Sequence, residues 1–394
     1  MLLLRGFLIL MALTGCGSAL AASYVPPSDD TVLAKVLTQR DPSARALAAL
    51  RQKISASPND VANATAYAEA AIKIGHARAD PRYYGYAEAA LAPWWASDDA
   101  PQTVLVLRAT IRQFFHAFDQ ARADLDRALA HNPQDAQARL IRATVLQVQG
   151  YPQQALADCE QLAGKVESLL STSCAASAAS LMGRAKRSQA LLDYVLEQSS
   201  KLPSEARLWA ETLQAEIAER LGDTAGADAA YARALTTMQA QGSTDAYLLA
   251  AWADFAIAHG KSTDVVARLS DLTDIDNLLL RLTLAEKVSG ANHTAYENHR
   301  AMLDARFAAA RQRGEAVHLR EEAMFQLDIV GNATRALELA QADWAVQREP
   351  LDALTLLRAA HAAHQPDAAA PVLEWIKTTG LEDQRLTAVA GALP

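Results

Sequence analysis

Aromatic residues make up only 6% of this 394-residue chain, and glycine and proline are sparse, at 17 and 14. Val, Ile and Thr are not gathered into alternating runs, so the pattern of strands is missing. A chain dominated by Ala and Leu favours helices throughout. A basic excess is also missing: the formal charge is −8, which leaves no electrostatic footprint for nucleic acid. Arg300, Arg306, Arg311 and Arg313 are interspersed with Asp304 and Glu315, and read as a solvated helix face. Beyond the extreme N-terminus no segment is long and apolar enough to span a bilayer. The length suits two or three ordinary domains or one long repeat array.

The N-terminus has its own layout. "MLLLRGFLILMALTGCGSALAAS" carries one early charge, Arg5, then an apolar run from Phe7 to Leu13, then small residues. That is the order of an export signal, and residues 1–15 are assigned to it. Within it Leu13, Thr14, Gly15 and Cys16 resemble the lipobox of bacterial lipoproteins, which implies lipidation of Cys16 as the mature N-terminus. Gly17 after the cysteine, by the same resemblance, points to the outer membrane, so the expected location is the bacterial periplasm with membrane contact only through the lipid. The alternative is cleavage after Ala21, which releases a soluble periplasmic protein. Residues 16–30, ending in "PPSDD", read as a flexible tether.

Export leaves Cys159 and Cys174 as two thiols in an oxidising compartment, fifteen residues apart across one predicted helix junction. A disulfide clasping neighbouring helices is the expectation. The alternative is two small buried thiols filling tight helix contacts.

"LVLRAT" at 105–110 returns as "RLIRAT" at 139–144, thirty-four residues on. Other positions return with it: Ala109 as Ala143, Ala121 as Ala155, Leu125 as Cys159. The stretch 136–163 reads as a helical hairpin. Its first helix is predicted over 136–149, Gly150 supplies the left-handed end, and Pro152 opens the second helix. A glycine, a small residue five positions later and an apolar residue four beyond that recur as Gly183, Ser188, Leu192 and as Gly222, Ala227, Tyr231. They return as Gly260, Val265, Leu269 and Gly331, Ala336, Ala340. On these residues the chain resembles a tetratricopeptide repeat protein. The resemblance implies an all-α, right-handed superhelical solenoid of stacked helix-turn-helix hairpins over residues 31–394, with about eight or nine units and degenerate ends. Arg108 and Arg142 stand where the family carries leucine; an arginine there must snorkel along the seam or pair, which predicts hairpins packed less tightly than the family's. An enlarged turn is expected between Gly75 and Tyr84, and a longer second helix from about Ala295.

No constellation for chemistry assembles. His361 and His364 lie three apart and are candidates to share a helix face, as are His293 and His299, but no third ligand is indicated. Glu321 and Glu322 are adjacent, so on a helix they point about 100° apart. The expectation is a non-enzymatic chain with no cofactor and no metal, and a small-ligand or metal-handling protein using His361 and His364 as the alternative.

What remains is the groove. In the family the first helices of successive hairpins line a concave face that takes a protein or peptide partner. Placed on that pattern, the candidates are Glu69 and Ile72, Thr110 and Gln113, Thr144 and Gln147, then Trp209, Thr212 and Glu216, then Tyr247 and Asp254. Trp209 and Tyr247 are the expected anchors, with packing between hairpins as the alternative. Trp94 and Trp95 form a second, weaker patch.

Overall fold

The chain turns back on itself wherever a glycine takes a left-handed backbone. Gly150, Gly183, Gly222, Gly260 and Gly331 all have φ between 68° and 81°, a conformation that costs other L-residues strain. Five residues after each stands Ala155, Ser188, Ala227, Val265 or Ala336, and nine after stands Cys159, Leu192, Tyr231, Leu269 or Ala340. All ten are buried. The small residue lets two helices approach, and the larger one fills the seam behind it. Full burial of a side chain such as Leu192 stabilises by about 1.5–3 kcal/mol over leaving it exposed.

The computed structural model describes residues 41–78, 80–314 and 318–393. The segment 1–15, Cys16, the tether and Ala21 lie outside the described residues. A first helix, α1 (Pro42–Ala56), leads into α2 (Val61–Arg78) with α3 (Arg82–Ala90), α4 (Gln102–Phe114) with α5 (Phe118–His131), and α6 (Ala136–Val148) with α7 (Pro152–Glu160). Next come α8 (Ser168–Ser180) with α9 (Ala185–Gln198), α10 (Glu205–Arg220) with α11 (Thr224–Ala240), and α12 (Ala246–Ala258) with α13 (Ser262–Leu269). The last hairpins are α14 (Asp276–Ser289) with α15 (His293–Gln312), α16 (Leu319–Met324) with α17 (Ala333–Trp344), and α18 (Pro350–Ala362) with α19 (Ala370–Thr379). A closing helix, α20 (Gln384–Gly391), follows. The described residues thus hold nine hairpins and no strand.

First helices contact first helices, α4 on α6, α6 on α8, α8 on α10, α10 on α12, and form a continuous inner layer. Second helices pack against the first helix of the next unit, α3 on α4, α5 on α6, α7 on α8, α9 on α10, α11 on α12, α13 on α14 and α17 on α18. The fold is an all-α superhelical solenoid of stacked helix-turn-helix hairpins, tetratricopeptide-like in layout.

Local detail departs from expectation in three places. The turn after Gly75 is short, because α2 continues to Arg78 and α3 starts at Arg82; Gly75 sits within the helix, where a methyl group would press on the Tyr84 ring at 3.0 Å. Arg108 does not loosen its hairpin. It is 1% exposed, with its charge held by Asp124 of the second helix and by the Trp94, Trp95 and Ser97 carbonyls. After α16 the inner helix continues as a π-helical turn over Phe325–Val330, where Lys287 Nζ donates to the Asp328 and Ile329 carbonyls.

Candidate functional site

Asp135 caps α6 by accepting from the Ala138 amide at 2.9 Å, and Ser204 caps α10 in the same way. These caps fix where each inner helix begins, and so which side chains face the concave side.

The inner-layer candidates divide by what they touch. Glu69 is exposed on α2, whereas Ile72 packs against the N-terminal core. The Thr110 and Thr144 hydroxyls donate back to their own helices, at the Val106 and Leu140 carbonyls. Gln113 is half-buried, and Gln147 accepts from Ser177 at 2.6 Å, tying α6 to α8. Two residues of the expected anchor region turn toward the packing, Trp209 partly and Thr212 fully. Trp209 packs against the cluster around Cys159 and Cys174, and Thr212 is buried with its hydroxyl on the Leu208 carbonyl. Both fill space between hairpins, because the inner helices approach closely there.

Glu216 and Tyr247 do come together. The Tyr247 hydroxyl donates to Glu216 at 2.5 Å, joining α10 to α12. Asp254, two turns along α12, accepts from Arg281 of α14 at 2.8 and 3.0 Å. Tyr247 is 56% exposed, yet burial, then Glu216 and Glu349, push its hydroxyl well above the ordinary range. The ring reaches solvent, while the hydroxyl is set against the Glu216 carboxylate. Burial likewise raises Glu216 and Glu219.

The charged groups around Glu216 and Tyr247 include several that no sequence pattern marks. Glu349 and Arg320 act on Tyr247 from α18 and α16. Arg385 pairs with Glu219 at 2.9 Å, and the buried Arg220 donates to Ser180 at 2.7 Å. Glu219 and Arg220 follow Glu216 on the same helix, and so were within reach of sequence reasoning. Arg320, Glu349 and Arg385 arrive from hairpins far along the chain, and no spacing announces them.

The other sequence candidates lie elsewhere. Cys159 and Cys174 are joined as a disulfide with Cα atoms 5.4 Å apart, linking α7 to α8. His361 and His364 do not share a helix face: α18 ends at Ala362, and His364 sits beyond it at φ 56°. His299 is held by Glu286 at 2.9 Å, while His293 is exposed six residues away. Among the described residues no three His, Cys, Asp or Glu side chains converge on a point that suits a metal ion. Glu321 and Glu322 are buried on different partners, Arg320 and Arg311. Trp94 and Trp95 are half-buried against the N-terminal core, with the Arg112 guanidinium 5.4 Å from the Trp95 ring.

No family model and no curated protein matches the chain. Solved structures do resemble it in outline. A tetratricopeptide repeat protein from Parabacteroides merdae is 15% identical with a TM-score of 0.40, over 65% of this chain and 90% of that one. The human IFIT1 dimer with m7Gppp-AAAA is 11% identical with a TM-score of 0.44, over 86% of each chain. Cut9 in the APC/C hetero-tetramer Cut9-Hcn1 is 13% identical with a TM-score of 0.43, over 80% of this chain and 52% of that chain. At such scores these likenesses add nothing to the site, which stands on its own geometry.

Proposed function

We propose that this chain is a non-enzymatic scaffold of the bacterial periplasm, tethered to the outer membrane through a lipid on Cys16, that grips a protein or peptide partner on its concave face. The alternative to the tether is a soluble periplasmic form cleaved after Ala21. The observation that carries the partner reading is Tyr247: a half-exposed aromatic ring on the inner layer, fixed by its hydroxyl on Glu216. A rigid ring with a polar tip binds at low entropic cost, and aromatic side chains in enclosed settings dominate many interfaces. The test is in-cell cross-linking of the full-length protein beside a Tyr247→Ala variant. One envelope protein enriched with the wild type and lost with the variant supports the reading; equal recovery with both removes Tyr247 from the site.

A second reading has one observation in its favour. A shallow pocket of about 460 Å³ lies between α18 and α20, with Leu327 and Val389 on its apolar side and Asp328, Arg358 and His361 on its polar side. It suits a small amphipathic ligand. Loss of a copurifying small molecule on His361→Ala, read by mass spectrometry, would establish it.

A further inference from the structure

The turns that end successive inner helices do not face open solvent. Along one edge of the solenoid they meet the C-terminal part of the same chain. The Arg348 amide donates to the Val148 carbonyl at 2.7 Å. The Ala185 amide, at the start of α9, donates to the Glu382 carboxylate at 3.1 Å. The Gln384 side chain donates to the Leu221 carbonyl at 2.9 Å, and Arg385 reaches Glu219 at 2.9 Å. Two glycines make the approach feasible. A methyl group at Gly183 would press on the Gly380 carbonyl, and one at Gly222 would overlap the Gln384 amide.

The chemistry of this contact differs from that between neighbouring hairpins. Inside the solenoid, adjacent units share buried apolar clusters. Here Leu181 is the one buried residue of these turns that joins the apolar cluster of the C-terminal helices. That cluster also holds Leu381 and Leu386 of the C-terminal segment; the contacts of the segment with the turns are otherwise one main-chain hydrogen bond, two between a side chain and the main chain, and one ion pair, which contribute little net stability each. Contacts of this polar kind between parts of one chain permit relative motion.

We propose that residues 380–386 act as a built-in ligand that latches the end of the concave face, and that a partner displaces them with a segment of the same chemistry, an arginine beside an amide side chain. The segment "GLEDQRL" then defines what the site accepts. A guanidinium goes to Glu219, a side-chain amide goes to the free carbonyl at the end of α10, and a carboxylate caps the first amide of α9. This inference deepens the scaffold reading and rests on it for the identity of the site, but the latch itself is testable with no partner in hand.

The experiment is hydrogen exchange on the full-length chain, wild type against a Gln384→Ala, Arg385→Ala variant, followed by titration with a synthetic peptide of residues 378–388. In the variant, the Ala185 and Arg348 amides are expected to lose protection together while α4 to α6 keep theirs. The peptide is expected to bind the variant at least about tenfold more tightly than the wild type, because the wild type must first open. Unchanged protection at Ala185 and Arg348 overturns the latch, and so does equal peptide affinity for both proteins. If protection falls throughout, Gln384→Ala alone is used, since it removes one exposed side-chain amide and leaves the Asp383 cap of α20 and its arginine partner in place. The same two readouts then decide. A latch that passes beside a cross-linking experiment that recovers no partner would retain the internal ligand and reject the scaffold role.

Discussion

Arg108 holds both oxygens of Asp124, Nε at 2.8 Å and Nη2 at 2.6 Å, and one repeat later Arg142 holds both oxygens of Asp158, each at 2.7 Å. The arginine is on the first helix of its hairpin and the aspartate on the second, so each pair spans the seam. In the first hairpin both members are buried; in the second, Asp158 also binds Arg139, and Arg142 also reaches Asp126. The ion pair is therefore part of the repeat, returning with the same period as the alanines around it.

Asp124→Ala leaves the Arg108 guanidinium buried with its main partner gone. Breaking a buried pair in this way costs about 3–5 kcal/mol, and Arg112, which donates to the same carboxylate at 2.6 Å, loses its partner as well. Denaturant unfolding of Asp124→Ala checks this. A single variant as stable as the wild type would mean that the three backbone carbonyls alone satisfy Arg108.

The disulfide closes a short loop between α7 and α8. In the chain-entropy picture a loop of this length is worth about 3 kcal/mol, chiefly by restricting the unfolded chain. Cys174→Ser, or unfolding in the presence of a reductant, is expected to lower the denaturant midpoint accordingly. Thiol titration of the native protein under oxidising conditions, carried out on the body without Cys16, should find no free cysteine.

The polar core beneath α18 makes stability fall as pH rises. Burial, with Asp352 beside each, pushes Asp343 up to about 9 and Glu349 up to about 7. Arg320 faces both and opposes the shift, and Glu321 and Glu216 add like charge from α16 and α10. The folded state therefore binds more protons than the unfolded one. Its advantage is complete below the ordinary carboxylate range and is lost as pH rises through 7 and then 9, by at most about 1.4 kcal/mol per pH unit for each proton. Melting temperatures between pH 5 and pH 9 should decline. Asp343→Asn, which keeps the neutral shape, should flatten the decline, and an identical slope in that variant would refute the assignment.

Lipidation gives a direct test of location. Expressed in a bacterial host, the full-length chain is expected to partition with membranes, and Cys16→Ser to shift into the soluble periplasmic fraction. A wild-type protein already soluble would favour cleavage after Ala21.

Much of this architecture is written locally. A glycine that ends one helix, a small residue five positions on and an apolar residue four beyond act within a single hairpin. Residues 116–125, with His116 in the left-handed turn position, show the limit of that grammar: the backbone is right but the glycine is missing. There the imidazole stacks on Phe118, and burial holds it down at about 4. Glu216 and Tyr247 were placed on the inner helices by resemblance to the repeat family, and in the structure they meet there. Sequence reading left open that Trp209 packs between hairpins and that Arg108 pairs; it did not reach the return of residues 348–385 to the turns at 148–150, 181–185 and 219–222. Period and propensity describe contacts a few residues apart or one repeat apart. How far the solenoid curves depends on the summed tilt of nine hairpins, and only that curvature carries Arg385 to Glu219.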